Sequence, residues 1–443
     1  MTVESGRPAA TAGYLEPARE VPVIERTDVV VCGAGPAGIA AALAAARTGA
    51  RTRLIEVLGC LGGTWTAGQL AWIWDFDKPG IAREITDALT RSGARVGTNR
   101  HHFAYDIEAL KLLLDQLCLE AGVQVQLFTR VVGAVCDADN RLSLIITESK
   151  SGRQAWAAEA FVDTTGDGDL AALAGCGFDV GHPETGQVQP MTYMALINVR
   201  DAAALREFIS FWQGNERHTP AVFLAEIRRA GREPSYGHPT LFQVHENLLA
   251  LMINHEYGVS ALDAAAVTGA TLRGRAEVHA IVEALRGLGG PWEGVHVVAT
   301  SEHIGIREAR RIHGRYRVTR EDLVSGARHI DAICRVTFGV DVHSLDPSKD
   351  SGLSAMGVVT LPYDIPLRAL IARDVDGLLM AGRCISGDFL AHASYRVTGN
   401  AVAMGQAAGT VAALGALAGQ APHEVPWDAT RAALEAQGWA PQD

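Results

Sequence analysis

Three glycines near the start of the chain have the spacing of a dinucleotide-binding turn. Gly33, Gly35 and Gly38 follow the apolar run 28–32, and Glu56 stands eighteen residues after the third glycine. The first glycine permits a tight turn, the second lets the backbone approach a pyrophosphate, and the third lets a helix pack closely on its strand. The N-terminus of that helix presents free N–H groups to phosphate oxygens. These residues predict a site for the pyrophosphate and the adenosine ribose of a dinucleotide.

The cysteines and histidines do not have the spacing of a metal or redox motif. Seven cysteines stand at positions 32, 60, 118, 136, 176, 334 and 384, and no two of them form a C-x-x-C pair. Zinc ribbons, iron–sulfur motifs and a thioredoxin-like dithiol therefore lack support. The histidines lack ligand spacing as well, so no metal site is predicted. Reduced thiols in a cytoplasmic protein are expected.

The elements around the glycines follow the order of a βαβ unit. The apolar strand 28–32 is followed by the turn, an Ala-rich helix over 39–48 and a second strand over 52–56. Similar patterns return at 160–169 and at 377–409. We therefore predict a Rossmann-like α/β domain of three layers around a central parallel sheet, formed by residues 23–180 and 356–420.

The remaining segments predict three further parts. Residues 1–22 are expected to form a flexible N-terminal arm, and 421–443 a C-terminal helical tail. Residues 181–355 are expected to form an inserted α+β substrate or cap domain. Its predicted elements are helices over 201–213, 219–230, 261–286 and 306–314, and strands over 191–199 and 331–338.

The composition is that of a folded enzyme. The 443 residues are 48% hydrophobic and 20% charged, which is too apolar for a disordered chain. The net charge of −11 repels phosphate backbones and anionic lipids, so no nucleic-acid or membrane partner is expected. The N-terminal residues lack the apolar run of a secretory signal.

Three segments resemble the FAD-dependent oxidoreductases of the glutathione-reductase-like superfamily, whose members have two dinucleotide-binding domains. They are residues 29–56 with the adjoining Gly62 and Gly63, residues 162–169, and residues 381–409. Within that superfamily, the last segment is similar to the broad FAD-dependent oxidoreductase family. The resemblance implies bound FAD and covers the two ends of the chain, not its middle.

The resemblance assigns contacts to each part of FAD. At the pyrophosphate it implies Gly33, Gly35, Pro36, Ala37 and Gly38, and at the adenosine ribose Glu56. The pyrophosphate and ribityl region would be lined by Gly62, Gly63 and Thr64. Adenine would be contacted by Val131, and Gly166 and Asp167 would lie beside the nucleotide.

The same resemblance assigns the ribityl chain and the flavin ring to the C-terminal segment. Gly382 and Arg383 are placed beside the ribityl chain, where many superfamily members have an acid after Ala-Gly, and Asp388 is the alternative contact. Asn400 and Ala401 are expected to open the last helix and to point backbone N–H groups at the flavin N1/C2 carbonyl. Reduced flavin gathers negative charge there, which a helix N-terminus stabilises.

His392, Tyr395 and Arg396 lie where the resemblance places the isoalloxazine ring. Removing hydride from a carbon that bears oxygen or nitrogen needs a base for the heteroatom proton, and histidine is the commonest choice. Arg396 is expected to bind a substrate carboxylate or the flavin itself. The alternative reading is that His392 and Arg396 hold the loop to the core.

Three tryptophans, Trp65, Trp72 and Trp74, stand close together in the sequence. An aromatic pocket for a planar substrate and simple core packing are both open, and packing is the preferred reading.

The chain has no second strand–GxGxxG–helix unit, so a dedicated NAD(P)H domain is not expected. We expect an FAD-dependent oxidoreductase of the dehydrogenase or oxidase type. It would oxidise a small organic substrate at CH–OH, CH–NH or CH–CH by hydride transfer, with oxygen or a separate electron acceptor reoxidising the flavin. A flavin-dependent monooxygenase or halogenase fed by an external reductant, and a non-catalytic FAD-binding subunit, remain as alternatives. A homodimer is expected by analogy with the superfamily.

Overall fold

The computed structural model describes residues 13–214, 217–348 and 352–442. Ten α-helices lie in these ranges: α1 (Pro36–Arg47), α2 (Ile81–Arg91), α3 (Ile107–Glu120), α4 (Asp169–Leu173), α5 (Pro220–Arg229), α6 (Ala264–Gly287), α7 (Arg320–Ser325), α8 (Phe389–Tyr395), α9 (Thr398–Ala418) and α10 (Trp427–Ala436).

The same ranges contain twenty strands. They are β1 (Val23–Cys32), β2 (Thr52–Ile55), β3 (Trp72–Ile73), β4 (Arg95–Val96), β5 (Phe103–Tyr105), β6 (Gln124–Gln126), β7 (Arg130–Cys136), β8 (Leu142–Ser149), β9 (Gly152–Asp163), β10 (Phe178–Asp179), β11 (Ala195–Asn198), β12 (Thr240–His245), β13 (Leu248–Met252), β14 (His296–Thr300), β15 (Arg311–Ile312), β16 (Ala332–Val336), β17 (Val342–His343), β18 (Leu353–Ser354), β19 (Tyr363–Pro366) and β20 (Leu378–Met380).

The first sheet has a parallel centre. Its strands run in the order β6-β2-β1-β9-β8-β7, and β20 also pairs with β9. In register, Val31 faces Leu54 on β2 and Val162 on β9, and Val162 faces Leu379 on β20. The four residues 29–32 are fully buried, as a strand covered on both faces requires. The predicted α/β fold with a central parallel sheet is confirmed.

Small residues let α1 and α9 approach each other closely on one face of this sheet. A Cβ at Gly405 would lie 2.0 Å from the carbonyl oxygen of Ala37, and one at Gly409 would lie 2.0 Å from that of Ala41. The two helices therefore touch backbone to backbone, and α9 supports the helix whose N-terminus follows the glycine turn. An 18-residue stretch of α9 has the apolar composition of a membrane span, but 78% of it is buried inside the protein.

A second hydrophobic core surrounds an antiparallel sheet of order β12-β13-β11-β14. Helix α6 and Trp292 pack into this core, which gathers buried residues from Met191 to Ile304. Buried residues from Ile312 to Val358 belong to the first core. The domain bounds proposed from the sequence, with 181–355 as one inserted unit, stay a prediction, as does the flexibility of 1–22, of which residues 1–12 lie outside the described ranges.

Two helices predicted in the middle segment are wrong. Over 306–314 there is no helix: residues 306–310 have no regular secondary structure, and Arg311–Ile312 form β15, which pairs with β10. Over 201–213 there are two 3₁₀ turns, Ala202–Leu205 and Trp212–Gly214, and positive φ values at Phe211 and Gln213 exclude a continuous helix. The helices predicted over 219–230 and 261–286 are confirmed as α5 and α6.

Candidate active site

A cavity of about 800 Å³ is lined by residues of both hydrophobic cores. One side consists of the turn after β1, the end of β9 and the segments before and after α8. The other side consists of residues from the second sheet and from α6. Such a cavity, at the carboxyl ends of parallel strands, is where α/β folds bind ligands.

The glycine turn lies at this cavity and has the shape that a pyrophosphate needs. Gly33 has φ of +98°, and a Cβ there would meet Thr164 O at 2.5 Å. A Cβ at Gly38 would lie 1.8 Å from Gly33 O, so this glycine is required for packing and does not line the cavity. A Cβ at Gly35 meets no atom within 4 Å, and Gly35, Pro36 and Ala37 all line the cavity. The turn is closed by packing on one side and open toward a ligand on the other.

Glu56 directly follows β2 and lines the cavity. Its carboxylate accepts hydrogen bonds from Ala34 N at 2.6 Å and from Leu58 N at 2.8 Å, which fixes its direction. Val131, at the start of β7, lines the same region. Gly63 and Thr64 line the cavity as well, whereas Gly62 has φ of +104° and packs against Thr66 outside the lining.

Arg383 and Asp167 form an ion pair in the cavity wall. Arg383 Nη2 donates to Asp167 Oδ1 at 3.0 Å, and both residues line the cavity with Gly166 and Gly382. Burial raises the pKa of Asp167, and the charge of Arg383 opposes that shift. Arg383 Nη1 is buried and has no hydrogen-bond partner among the described residues. A buried donor of this kind indicates that a polar ligand belongs beside it, and the turn, Glu56 and this donor together fit FAD.

The start of α9 lies two residues before Asn400, where it was predicted. The helix begins at Thr398, after Val397, and both residues line the cavity together with Ala401. Asn400 is fully buried, lies outside the lining, and neither its Oδ1 nor its Nδ2 has a partner among the described residues. The first turn of α9 is at the cavity, as a helix N-terminus near the flavin requires, but the Asn400 side chain is not.

Besides Gly38, Gly62 and Asn400, three more residues assigned from the sequence do not line the cavity. His392 is fully buried in α8, which lowers its pKa well below the ordinary value. Tyr395 Oη donates to Ile385 O at 3.1 Å inside the core. Asp388 caps α8 by accepting from Ala391 N at 2.7 Å and also accepts from Arg320 N. The assignments of His392 and Tyr395 to substrate and of Asp388 to the ribityl chain disagree with these positions, because α8 buries these side chains or uses them for capping.

Arg396 does line the cavity, next to a carboxylate that the sequence analysis missed. Arg396 Nη2 donates to Asp341 O at 2.8 Å and to Asp341 Oδ2 at 3.1 Å. Asp341 Oδ2 also lies 3.4 Å from His343 Nε2, and Asp341 and His343 both line the cavity. Residues at i and i+2 of an extended segment share a face, which brings the two side chains together at β17.

A hydrogen-bonded chain leads away from His343. Its Nδ1 lies 2.9 Å from His255 Nε2, and His255 Nδ1 lies 3.1 Å from Tyr257 Oη. Tyr257, which is half-buried, donates to Ser235 O at 3.1 Å.

The direction of these bonds follows from the single proton of the Tyr257 hydroxyl. Since that proton is given to Ser235 O, the hydroxyl oxygen accepts from His255 Nδ1, and His255 Nε2 then accepts from His343 Nδ1. These tautomers are assigned from the hydrogen-bond network. His343 Nε2 is left without a proton and faces the Asp341 carboxylate. One proton taken up by Nε2 would therefore form a hydrogen bond to Asp341 Oδ2.

An aromatic wall borders the same cavity. Trp72 stacks on Phe242 with ring centroids 4.9 Å apart and on Phe211 at 4.5 Å. Trp74 contacts Trp72 at 6.2 Å and Phe338 at 6.0 Å. Of these rings, all but Phe211 line the cavity, so Trp72 and Trp74 are both packed and exposed to a ligand, whereas Trp65 is buried in the first core.

Solved structures similar to this chain share low sequence identity with it. One is a geranylgeranyl bacteriochlorophyll reductase-like protein from Thermoplasma acidophilum, with 13% identity and a TM-score of 0.47 over 93% of this chain and 82% of that one. Another is the anhydrotetracycline hydroxylase OxyS from Streptomyces rimosus, with 15% identity and a TM-score of 0.47 over 93% of this chain and 66% of that one. At these identities the likeness does not identify a reaction. The comparison with curated proteins gave no match.

The family comparison covers most of the chain. The family model described as FAD dependent oxidoreductase matches residues 28–434, which include the glycine turn, the second sheet and α9. FAD is therefore the cofactor, and the chain belongs to the FAD-dependent oxidoreductase family.

Proposed function

We propose that this chain is a dehydrogenase or oxidase that oxidises a small organic substrate at a C–H bond beside a hydroxyl or amino group. The observation that carries the proposal is the Asp341–His343 pair in the same cavity as the glycine turn. When bound, FAD supplies the acceptor for the hydride that leaves the substrate carbon. The residues that would hold FAD are the turn at Gly35, the Glu56 carboxylate and the Arg383 guanidinium.

His343 is the residue in position to take the heteroatom proton. Its Nε2 carries a lone pair in the tautomer that the network requires, and the hydrogen bond from its Nδ1 to His255 Nε2 at 2.9 Å holds the ring in that orientation. Asp341 Oδ2, 3.4 Å from Nε2, would stabilise the charge that appears when Nε2 takes a proton. Burial lowers the pKa of His343 to about 3, and the charge of Arg307 lowers it in the same direction, while Asp341 opposes both. The free imidazole is therefore neutral at physiological pH and able to accept a proton.

The proton has a path out of the cavity. When Nε2 of His343 gains a proton, Nδ1 releases one to His255 Nε2, and His255 Nδ1 releases one to Tyr257. Tyr257, the half-buried end of the chain, must then release its own hydroxyl proton to solvent, so one proton leaves for each one taken from the substrate. Both rings end neutral, each with its proton on the opposite nitrogen.

The test is anaerobic reduction of the reconstituted protein by panels of alcohols, amines and hydroxy acids. Bleaching of the flavin absorption would identify a substrate. His343→Asn is expected to slow bleaching by about 100-fold or more, the usual contribution of a general base. His313 makes an equal pair with Asp179, at 3.4 Å and outside the cavity, so His313→Asn is the matched control and is expected to keep the parent rate.

Other outcomes favour the other candidates. Substrate-dependent oxygen incorporation that requires NADH would indicate a monooxygenase, and FAD binding without reduction by any substrate would indicate a non-catalytic subunit. A slower rate of flavin bleaching in His392→Asn, with an unchanged rate in His343→Asn, would restore His392 as the base predicted from the sequence. Membership of the glutathione-reductase-like superfamily, a cytoplasmic location, an external electron acceptor and a homodimer stay proposals.

A further inference from the structure

We propose that Arg307 and Arg396 bind the carboxylate of a planar aromatic acid, and that this is the substrate class of the cavity. The inference rests on the proposed function, since it names the molecule that the same site would oxidise.

Arg307 is a cation held in place without being neutralised. Its Nη1 donates to Pro190 O at 2.7 Å and to Thr192 Oγ1 at 2.8 Å, both of them uncharged acceptors. No carboxylate lies within 4 Å of it in the described part of the chain, and its Nε and Nη2 make no hydrogen bond there. Because a guanidinium offers five N–H donors in a rigid fork, the unused edge matches the two oxygens of a carboxylate.

The charges around Arg307 leave the site positive. Arg307 and Arg396 both line the cavity, and Asp341 faces Arg396 and His343. Glu308 also acts on Arg396, but its own charge is paired with Arg311. His343 and His255 are kept neutral, since burial lowers the pKa of each. Two cations thus face one anion, and desolvation in the cavity wall makes an unpaired cation costly. An anionic group on the ligand removes that cost.

The aromatic wall determines the shape of the rest of the ligand. Trp72 and Phe242 stack with an interplanar angle of 18°, and both side chains line the cavity. Phe338 connects this wall to the charged end, since it contacts Trp74 and stands three residues before Asp341. A planar ring lying along these side chains would gain offset stacking that a saturated ring would not.

An anionic substrate also makes His343 a stronger base. The positive charge of Arg307 is among the causes that lower the pKa of His343, after burial itself. The other charged and titratable groups that face the imidazole are Asp341, Arg396, His255 and the ring of Tyr236. A carboxylate bound to Arg307 neutralises that charge, so the pKa of His343 rises toward the range in which general bases work best.

The experiment compares three probes on the FAD-reconstituted chain by calorimetry and by perturbation of the flavin spectrum. Benzoate is planar and anionic, benzamide is planar and neutral, and cyclohexanecarboxylate is anionic and not planar. We expect benzoate to bind about 10- to 100-fold more tightly than benzamide, the effect of a hydrogen bond to a charged group. We expect it to bind more tightly than cyclohexanecarboxylate as well. This comparison needs no variant and no turnover.

Three variants locate the effect. Arg307→Met is expected to remove the preference for benzoate over benzamide, and Arg307→Lys to restore part of it. Arg315, which pairs with Asp376 outside the cavity, provides the control Arg315→Met, which should keep the parent preference. Each variant should bind FAD with the parent affinity.

Two results would overturn the inference. One is equal binding of benzoate and benzamide to the parent protein. The other is a loss of FAD affinity in Arg307→Met with the benzoate preference retained, which would make Arg307 a ligand of the FAD phosphates. Bleaching of the flavin by neutral substrates, without benzoate binding, would contradict this inference and leave the proposed function intact. Benzoate binding without bleaching by any substrate would contradict the proposed function and leave the anion site intact.

Discussion

Replacing Gly35 by alanine separates the role of the turn in folding from its role in binding FAD. Gly35 has φ of −69° and ψ of −173°, a conformation that alanine adopts without strain, and its added Cβ meets no atom within 4 Å. The apoprotein should therefore fold, with a free energy of unfolding equal to that of the parent or higher by about 0.4–1 kcal/mol, because alanine has less freedom in the unfolded chain.

The same methyl group lies where the pyrophosphate would approach the backbone. If it costs the phosphate one hydrogen bond from a backbone N–H, the loss is about 1.5–3 kcal/mol, or roughly 10- to 100-fold in the Kd for FAD. Gly38→Ala should behave in the opposite way. Its Cβ would lie 1.8 Å from Gly33 O, so the apoprotein itself should lose about 1–3 kcal/mol of unfolding free energy.

The assay is urea unfolding of the apoprotein together with calorimetric titration by FAD. Gly287→Ala is the matched control, because it too meets no atom within 4 Å and lies at the end of α6, outside the cavity lining. An unchanged Kd for FAD in Gly35→Ala would refute the assignment of this turn to the pyrophosphate. A destabilised apoprotein would instead show that the open space beside Gly35 does not exist.

Three further predictions concern a buried ion pair and the proton path from His343. Lys78→Met should lower the free energy of unfolding, measured in urea, by about 3–5 kcal/mol, because it leaves the Asp75 carboxylate buried without the cation now 2.8 Å away. The kcat/KM of a substrate found by flavin bleaching should stay constant from about pH 8 to about pH 5, because burial and the charge of Arg307 lower the pKa of His343 to about 3 from its ordinary 6.5. Arg307→Met removes that charge and should move the acid limb of the kcat/KM profile to higher pH. Tyr257→Phe should slow bleaching less than His343→Asn does and leave benzoate affinity unchanged in calorimetry, since Tyr257 is at the far end of the proton path.

The cofactor side could be predicted because its signal is local. Gly33, Gly35 and Gly38 lie within one turn between a strand and a helix, and Glu56 follows on the next strand, so spacing alone indicates their common chemistry. The start of α9 was predicted two residues late because its N-cap position is Val397, whose side chain cannot accept the hydrogen bond by which a helix start is recognised.

The proton-accepting side could not be predicted because its parts are distant in the sequence. His255 and His343 are 88 residues apart and meet only where the second core packs beside β17. The Asp341-x-His343 spacing was a signal, yet nothing in the sequence indicated that this short strand faces the cavity. His392 was preferred instead because of its position in a family segment, and position along the chain does not determine which way a helix turns its side chains.

This division between local and distant signals has a physical cause. The pyrophosphate turn needs backbone shape, which a few adjacent glycines provide, and the same shape serves any FAD enzyme. The substrate end needs charge and planarity, which here come from Arg307 beside the second sheet, from Asp341 and His343 at β17, and from Trp72 near the first core. Because these side chains belong to separate elements, each can change without disturbing the turn. A family of this kind can therefore keep its cofactor while its substrates differ, and the substrate must be inferred from the cavity of each member.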